Sequence, residues 1–122
     1  MTKEVKNAYE KAIFQEWKSQ LQAKYPDYQQ NATDFVAGMI IPMKGTTVRV
    51  VSSIDSNQLY CQVDMDHLDK EKRDMPQEVA ESVKHLLPKE NDGPQFWKWL
   101  PRYAYDETYQ LLCEVIGAIV GI

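Results

Sequence analysis

Hydrophobic positions along this chain change period twice, and each change marks a change of element. Over residues 3 to 25, Val5, Tyr9, Ala12, Ile13, Trp17 and Leu21 recur at the spacing of one helix face, with Phe14 at the edge of the stripe. The spacing predicts an amphipathic helix of about six turns. It ends near Lys24, because Pro26 lacks a backbone donor and disfavours helical geometry in Tyr25. The polar run 27–33 then reads as a loop.

From residue 34 to 65 the period drops to that of strands. In the first, Val36, Gly38, Ile40 and Pro42 alternate with Phe35, Ala37, Met39, Ile41 and Met43, and both sets are apolar. Pro42 cannot donate to a ladder, so it faces outward at an edge or ends the strand. In the second, Val48, Val50, Ser52 and Ile54 share a face, and after the turn composition of Asp55, Ser56 and Asn57, Leu59, Cys61, Val63 and Met65 share one in the third. One side of this meander is apolar and calls for helices. The other carries Arg49, Tyr60, Gln62 and Asp64 and can stay wet.

The helical period returns at Val79, Ala80, Val83, Leu86 and Leu87, which with Pro76 in front and Pro88 behind predicts a short helix over 76–87. The stretch 89–94 is turn-rich. Phe96, Trp97, Trp99 and Leu100, stopped by Pro101, form a short edge strand or one helical turn. Asp106 is placed to cap a last helix, whose Tyr109, Leu112, Val115, Ile116, Ile119 and Val120 make it apolar nearly all round. A central buried position or a subunit interface explains such a helix, and its apolar run of about a dozen residues is short of the roughly 20 that span a bilayer. The expected fold is α+β: a three- or four-stranded antiparallel meander packed against N- and C-terminal helices, with a short middle helix, in a single domain over 1–122.

Composition narrows the function class. With 122 residues, 43% of them hydrophobic, the chain suffices for one core. Two cysteines, Cys61 and Cys113, both lie in apolar patterns, so reduced thiols and a cytoplasmic location are expected, with no signal sequence at the charged N-terminus. Net charge is −4, unevenly spread: residues 1–24 hold five Lys against three Glu, and residues 64–92 hold nine acids against five bases. That balance argues against a domain-wide field for nucleic acid, and leaves a local basic set, Lys3, Lys6, Lys11, Lys18 and Arg49, as an alternative site.

No catalytic or cofactor motif stands out. Asp64, Asp66, His67 and Asp69 are the densest set of metal-ligand types, but an EF-hand frame from Asp64 puts Asp69 where glycine is needed and Met75 where a bidentate Glu is needed. A two-carboxylate magnesium nuclease needs a lysine beside its acids, and neither Asp55 nor Asp64 has one on the adjacent strand. His67 and His85 lack a nucleophile in a recognisable setting, and Gly117 and Gly121 suit close helix packing. No cofactor or metal is therefore expected.

The dense aromatic segment is the strongest candidate for function. Phe96, Trp97, Trp99, Tyr103, Tyr105 and Tyr109 cannot all enter one small core, and those left over, with Phe96, Trp97, Trp99, Tyr103 and Tyr105 as the candidates, form a surface for a protein partner. The plain alternative is that both tryptophans cap the core. The sheet face with Arg49, Tyr60 and Gln62 is a second candidate site.

Two resemblances accompany this pattern. The spacing of Phe14 and Trp17, the strands around Val48, Val50 and Leu59-Tyr60-Cys61-Gln62-Val63, and the segment Trp97-Lys98-Trp99-Leu100-Pro101 resemble a small domain of uncharacterised function associated with restriction-type nucleases. The same element order resembles the class I type III secretion chaperones, small acidic α+β dimers that bind extended segments of a client. That family has further strands after its second helix, where this sequence suggests room for at most one. Both resemblances imply binding rather than turnover. The expectation is a non-enzymatic module that binds a protein partner or self-associates through its C-terminal helix, with a nucleic-acid accessory domain and a small-ligand-binding domain as alternatives.

Overall fold

Thr2 opens the first helix, its side-chain oxygen accepting the Val5 backbone N–H at 3.2 Å. In the computed structural model, which describes residues 2–31, 33–43, 46–55, 58–65, 75–90 and 96–122, this helix, α1, spans Lys3–Lys24. It closes where expected, with the Tyr25 N–H on the Leu21 carbonyl at 2.8 Å ahead of Pro26. Its buried face differs from the expected one. Glu10, Phe14, Trp17 and Leu21 are inside, whereas Val5 and Tyr9 are 55% and 57% exposed and Ala12 is exposed. Phe14 meets Trp17 edge-to-face at 4.9 Å, so the stripe is phased on that pair, and Glu10 enters because Arg102 receives it in an ion pair.

The remaining elements are β1 (Gln29–Gln30), β2 (Val36–Met43), β3 (Thr46–Asp55), β4 (Gln58–Met65), α2 (Gln77–Val83), β5 (Lys89–Glu90), β6 (Phe96–Pro101) and α3 (Tyr105–Val120). All strand neighbours are antiparallel, in the order β1-β2-β3-β4-β6-β5. Four long strands thus make the expected antiparallel sheet, and a two-residue strand flanks each side. The loop expected at 27–33 contributes β1, tied to α1 by the Gln30 side-chain amide on the Lys18 carbonyl at 2.8 Å. The room for one strand after the second helix turns out to be room for two, because β5 needs only Lys89 and Glu90. The 96–101 segment is a strand, and it lies beside β4 with β5 outside it.

Pairing register assigns the faces, since directly opposed residues point the same way. Met39 opposes Val50, which opposes Val63, which opposes Phe96, and Leu59 opposes Leu100. These positions join Phe14, Trp17 and Leu21 of α1, Val79 and Val83 of α2, and Leu112, Val115, Ile116 and Ile119 of α3 in one core. α1 lies over β2, α3 over β2, β3 and β4, and α2 against α3. Each fully buried aliphatic side chain contributes about 1.5–3 kcal/mol, so Leu112, Val115, Ile116 and Ile119 give α3 its hold on the core, while Tyr109, Cys113 and Val120 stay half-buried.

Two helix details depart from expectation. α2 stops at Val83, and Leu86 and Leu87 continue as turns on the Val83 carbonyl, at 2.9 and 2.8 Å, that still deliver Leu87 to the core. Ala104, not Asp106, holds the N-cap of α3, leaving Asp106 in the first turn, where its charge complements the helix dipole. In β2, Pro42 faces outward and exposed, the first of its two expected placements, and the strand runs on to Met43. No helix among the described residues is long and apolar enough to cross a membrane.

Candidate functional site

Alternation along β6 splits the aromatic segment. Phe96 and Leu100 turn inward, and Phe96, at 7% exposed, belongs to the core, so it leaves the list of candidate partner-binding residues. Trp97 and Trp99 turn to the other face, where register sets Trp97 opposite Gln62 and Trp99 opposite Tyr60. The two sites that were separate in the sequence are therefore one surface. Trp97 and Trp99 stand perpendicular with centroids 5.2 Å apart, and Tyr60 lies 5.5 Å from Trp99. All three are half-buried and stand outside the core cluster that the helices cover.

Beside these rings the face is polar and nearly neutral. Arg49 opposes Asp64 and grips it with two bonds, Nε to Oδ1 at 2.9 Å and Nη2 to Oδ2 at 2.6 Å, while Gln62 Nε2 donates to Oδ2 at 3.2 Å. Asp64 is 2% exposed and Arg49 27%, so the pair is inset in the face. Val51, 7% exposed, lies between this pair and Ser53 along β3 and is buried outside the core cluster. Ser53 donates to the Phe35 carbonyl at 2.5 Å and Ser52 to the Tyr60 carbonyl at 2.7 Å, fixing the backbone under the rings. Gly38 shares this face, where a Cβ would overlap the Val50 carbonyl oxygen and come within 2.8 Å of the Val51 Cα. Its lack of a side chain lets β2 approach β3 closely.

Tyr103 and Tyr105 lie elsewhere, at the seam between α1 and α3. Tyr105 sits 6.2 Å from Tyr9 and 6.5 Å from Tyr103. Burial, then the negative charge of Glu10, pushes the Tyr105 hydroxyl up, with Arg102 opposing. Further along, Trp17 and Tyr109 rings approach to 5.6 Å, and burial followed by the adjacent Cys113 sulfur pushes the Tyr109 hydroxyl up. Tyr109 belongs to the aromatic set read from the sequence, whereas Tyr9 and Glu16 were not legible as surface residues of interest, because Tyr9 fits an apolar stripe and Glu16 fits any solvated helix face.

The structure keeps the candidate acids apart and sets Arg49 apart from the basic residues of α1. Asp55 opposes Gln58 and Asp64 opposes Arg49, and the six-residue step between Gln58 and Asp64 along β4 separates the acids by about 20 Å. Lys3, Lys6, Lys11 and Lys18 ride on α1, on the opposite side of the sheet from Arg49, and Lys11 pairs with Asp34 at 3.4 Å. Asp66, His67 and Asp69 lie outside the described residues, among which no three metal-ligating side chains gather. Cys61 is a free, fully buried thiol pushed up to about 12 by burial, so it is a core residue, while Cys113 is half-buried with Lys24 Nζ at 3.7 Å from its sulfur. No family model, curated protein or solved structure matches the chain.

Proposed function

We propose that this chain is a non-enzymatic binding module that receives an extended, apolar segment of a protein partner on the open face of its sheet. The observation that carries the reading is the cluster of Tyr60, Trp97 and Trp99 beside the Arg49–Asp64 pair, on the face opposite the helices. Half-buried aromatics on a rigid sheet suit a hot spot, because large, stiff rings gain contact area with little loss of side-chain entropy. The pairing of Arg49 with Asp64 leaves that cation already matched within the face, which favours an uncharged segment over a phosphate backbone. Two strands after α2 also supply what the resemblance to class I type III secretion chaperones asks for, and the acidic charge agrees with it. Two free cysteines suit a reducing, cytoplasmic setting.

The test is a titration. A partner recovered with the tagged chain from its native host, identified and purified, is titrated against wild type and the Trp97→Ala/Trp99→Ala variant. Loss of hot-spot rings predicts binding weaker by about thirtyfold or more. Equal binding by the variant overturns the reading. Retention on oligonucleotides that falls steeply with salt supports the nucleic-acid alternative in its place.

A further inference from the structure

The seam between α1 and the start of α3 opens into a groove of about 490 Å³, lined by Tyr9 and Glu16 from α1, Tyr103 after β6, and Tyr105, Asp106 and Tyr109 from α3. Tyr9 and Tyr103 leave 57% and 75% of their surface exposed, so the groove is walled by two rings that the fold does not cover. Tyr105 stands between them at steep angles, 79° to Tyr9 and 64° to Tyr103, and such a cluster offers both ring faces and edges. Ring faces carry negative potential and attract cations, most strongly where water is partly excluded.

Charge along the groove is one-sided. Glu10 is already matched by Arg102, whose guanidinium carbon also lies 5.8 Å from the Tyr103 ring centroid. The cluster thus already holds one guanidinium against a tyrosine. Glu16 and Asp106 have no cationic partner among the described residues, and the bond Glu16 accepts comes from the neutral Gln20 amide at 3.2 Å. Two unmatched carboxylates beside tyrosine faces are complementary to a cation. The α1 stripe from Tyr9 to Gln20 extends about 16 Å at the helical rise, which matches about five residues of extended chain.

We propose that this groove is a second docking site, which takes an arginine-bearing basic segment of a partner protein. Arginine fits better than lysine because its planar, weakly hydrated guanidinium stacks on a ring while its N–H groups reach a carboxylate. The site is separate from the open sheet face: α1 and α3 cover the inner side of the sheet, and Trp97 and Trp99 stand on the outer side.

The probe is a synthetic hexapeptide alternating arginine and leucine, with a counterpart in which neutral citrulline replaces each arginine. Amide chemical shifts and an affinity titration are read for both. The arginine peptide is expected to move signals of residues around Tyr9, Tyr105 and Asp106, with affinity falling as salt rises, and the citrulline peptide to bind at least about tenfold more weakly. Glu16→Gln/Asp106→Asn costs on the order of tenfold and Tyr103→Ala about two- to fivefold, whereas Trp97→Ala/Trp99→Ala leaves the affinity unchanged. All three groove positions are exposed, so the variants keep the fold, checked by circular dichroism. Equal binding of the citrulline peptide, unchanged affinity in the carboxamide variant, shifts confined to the Trp97 face, or closure of the groove by a second copy of the chain each overturn the proposal.

Discussion

Replacing Arg49 with leucine removes the cation from a carboxylate that has almost no access to water. Asp64, 2% exposed, keeps the Gln62 amide at 3.2 Å but loses the bonds at 2.9 and 2.6 Å. Breaking a buried pair from one side costs about 3–5 kcal/mol. Arg49 is itself 27% exposed, so water already weakens the native pair, and a loss of about 2–3 kcal/mol follows. At roughly 3–4 °C per kcal/mol for a chain of this size, the thermal midpoint falls by about 6–12 °C. Arg49→Leu/Asp64→Val removes both charges and places two apolar side chains on a face that already holds Val51 and the tryptophans. Because an apolar pair of similar volume often matches an inset ion pair, the double variant should recover to within about 1 kcal/mol of wild type. Urea denaturation of wild type, both single variants and the double variant, followed by circular dichroism, yields the coupling energy directly. A single-variant loss below about 0.5 kcal/mol, or a double variant as unstable as the two singles combined, refutes the account of this pair as inset and mutually dependent.

Other positions make separate claims. Gly38→Ala drives a methyl onto the Val50 carbonyl oxygen and should cost about 2–3 kcal/mol in thermal unfolding; a neutral result denies the close approach of β2 and β3. Gly117→Ala does the opposite, because its Cβ would sit 3.6 Å from the Tyr25 hydroxyl, an ordinary contact, and a helix interior favours alanine by about 0.8–1 kcal/mol. A thiol reagent at mild pH should label Cys113 in the native protein and reach Cys61 only after denaturant is added. Cys61 also predicts a pH dependence. Below its ordinary value of 9.0 both folded and unfolded chains keep the proton; above it the unfolded chain ionises first, so stability is lost up to about 12. The loss has a slope of about 1.4 kcal/mol per pH unit, and Cys61→Ala should abolish that part of the slope.

Much of the fold is legible in the pattern because alternation survives wherever one face of a strand is buried. Leu59, Cys61, Val63 and Met65 against Tyr60, Gln62 and Asp64 leave little choice of register. Two-residue strands have no alternation to read, which is why β1 and β5 pass as loop. The phase of α1 is misread for a different reason: tyrosine satisfies an apolar stripe as well as a solvent boundary, so Tyr9 looks inward while it stands 57% exposed. Glu10 carries no local sign of burial, since its partner Arg102 is 92 residues away. The candidate site is half legible. Parity alone separates Phe96 from Trp97 and Trp99 once the segment is a strand, but only the β4–β6 register carries the tryptophans to Tyr60 and Gln62.

The distance in sequence between Glu10 and Arg102 also bears on how the molecule assembles. The β2–β3–β4 meander closes through short hairpins, so its pairing demands little loop entropy and can form early. β6 reaches β4 only after α2 and β5 have been traversed, and the Glu10–Arg102 clasp draws the start of α1 to the end of β6. Folding should therefore be limited by this final closure, with substitutions in the meander slowing folding and Glu10→Gln or Arg102→Lys chiefly speeding unfolding. A nascent chain that ends before Arg102 would hold a formed meander whose first helix has not yet been fastened down.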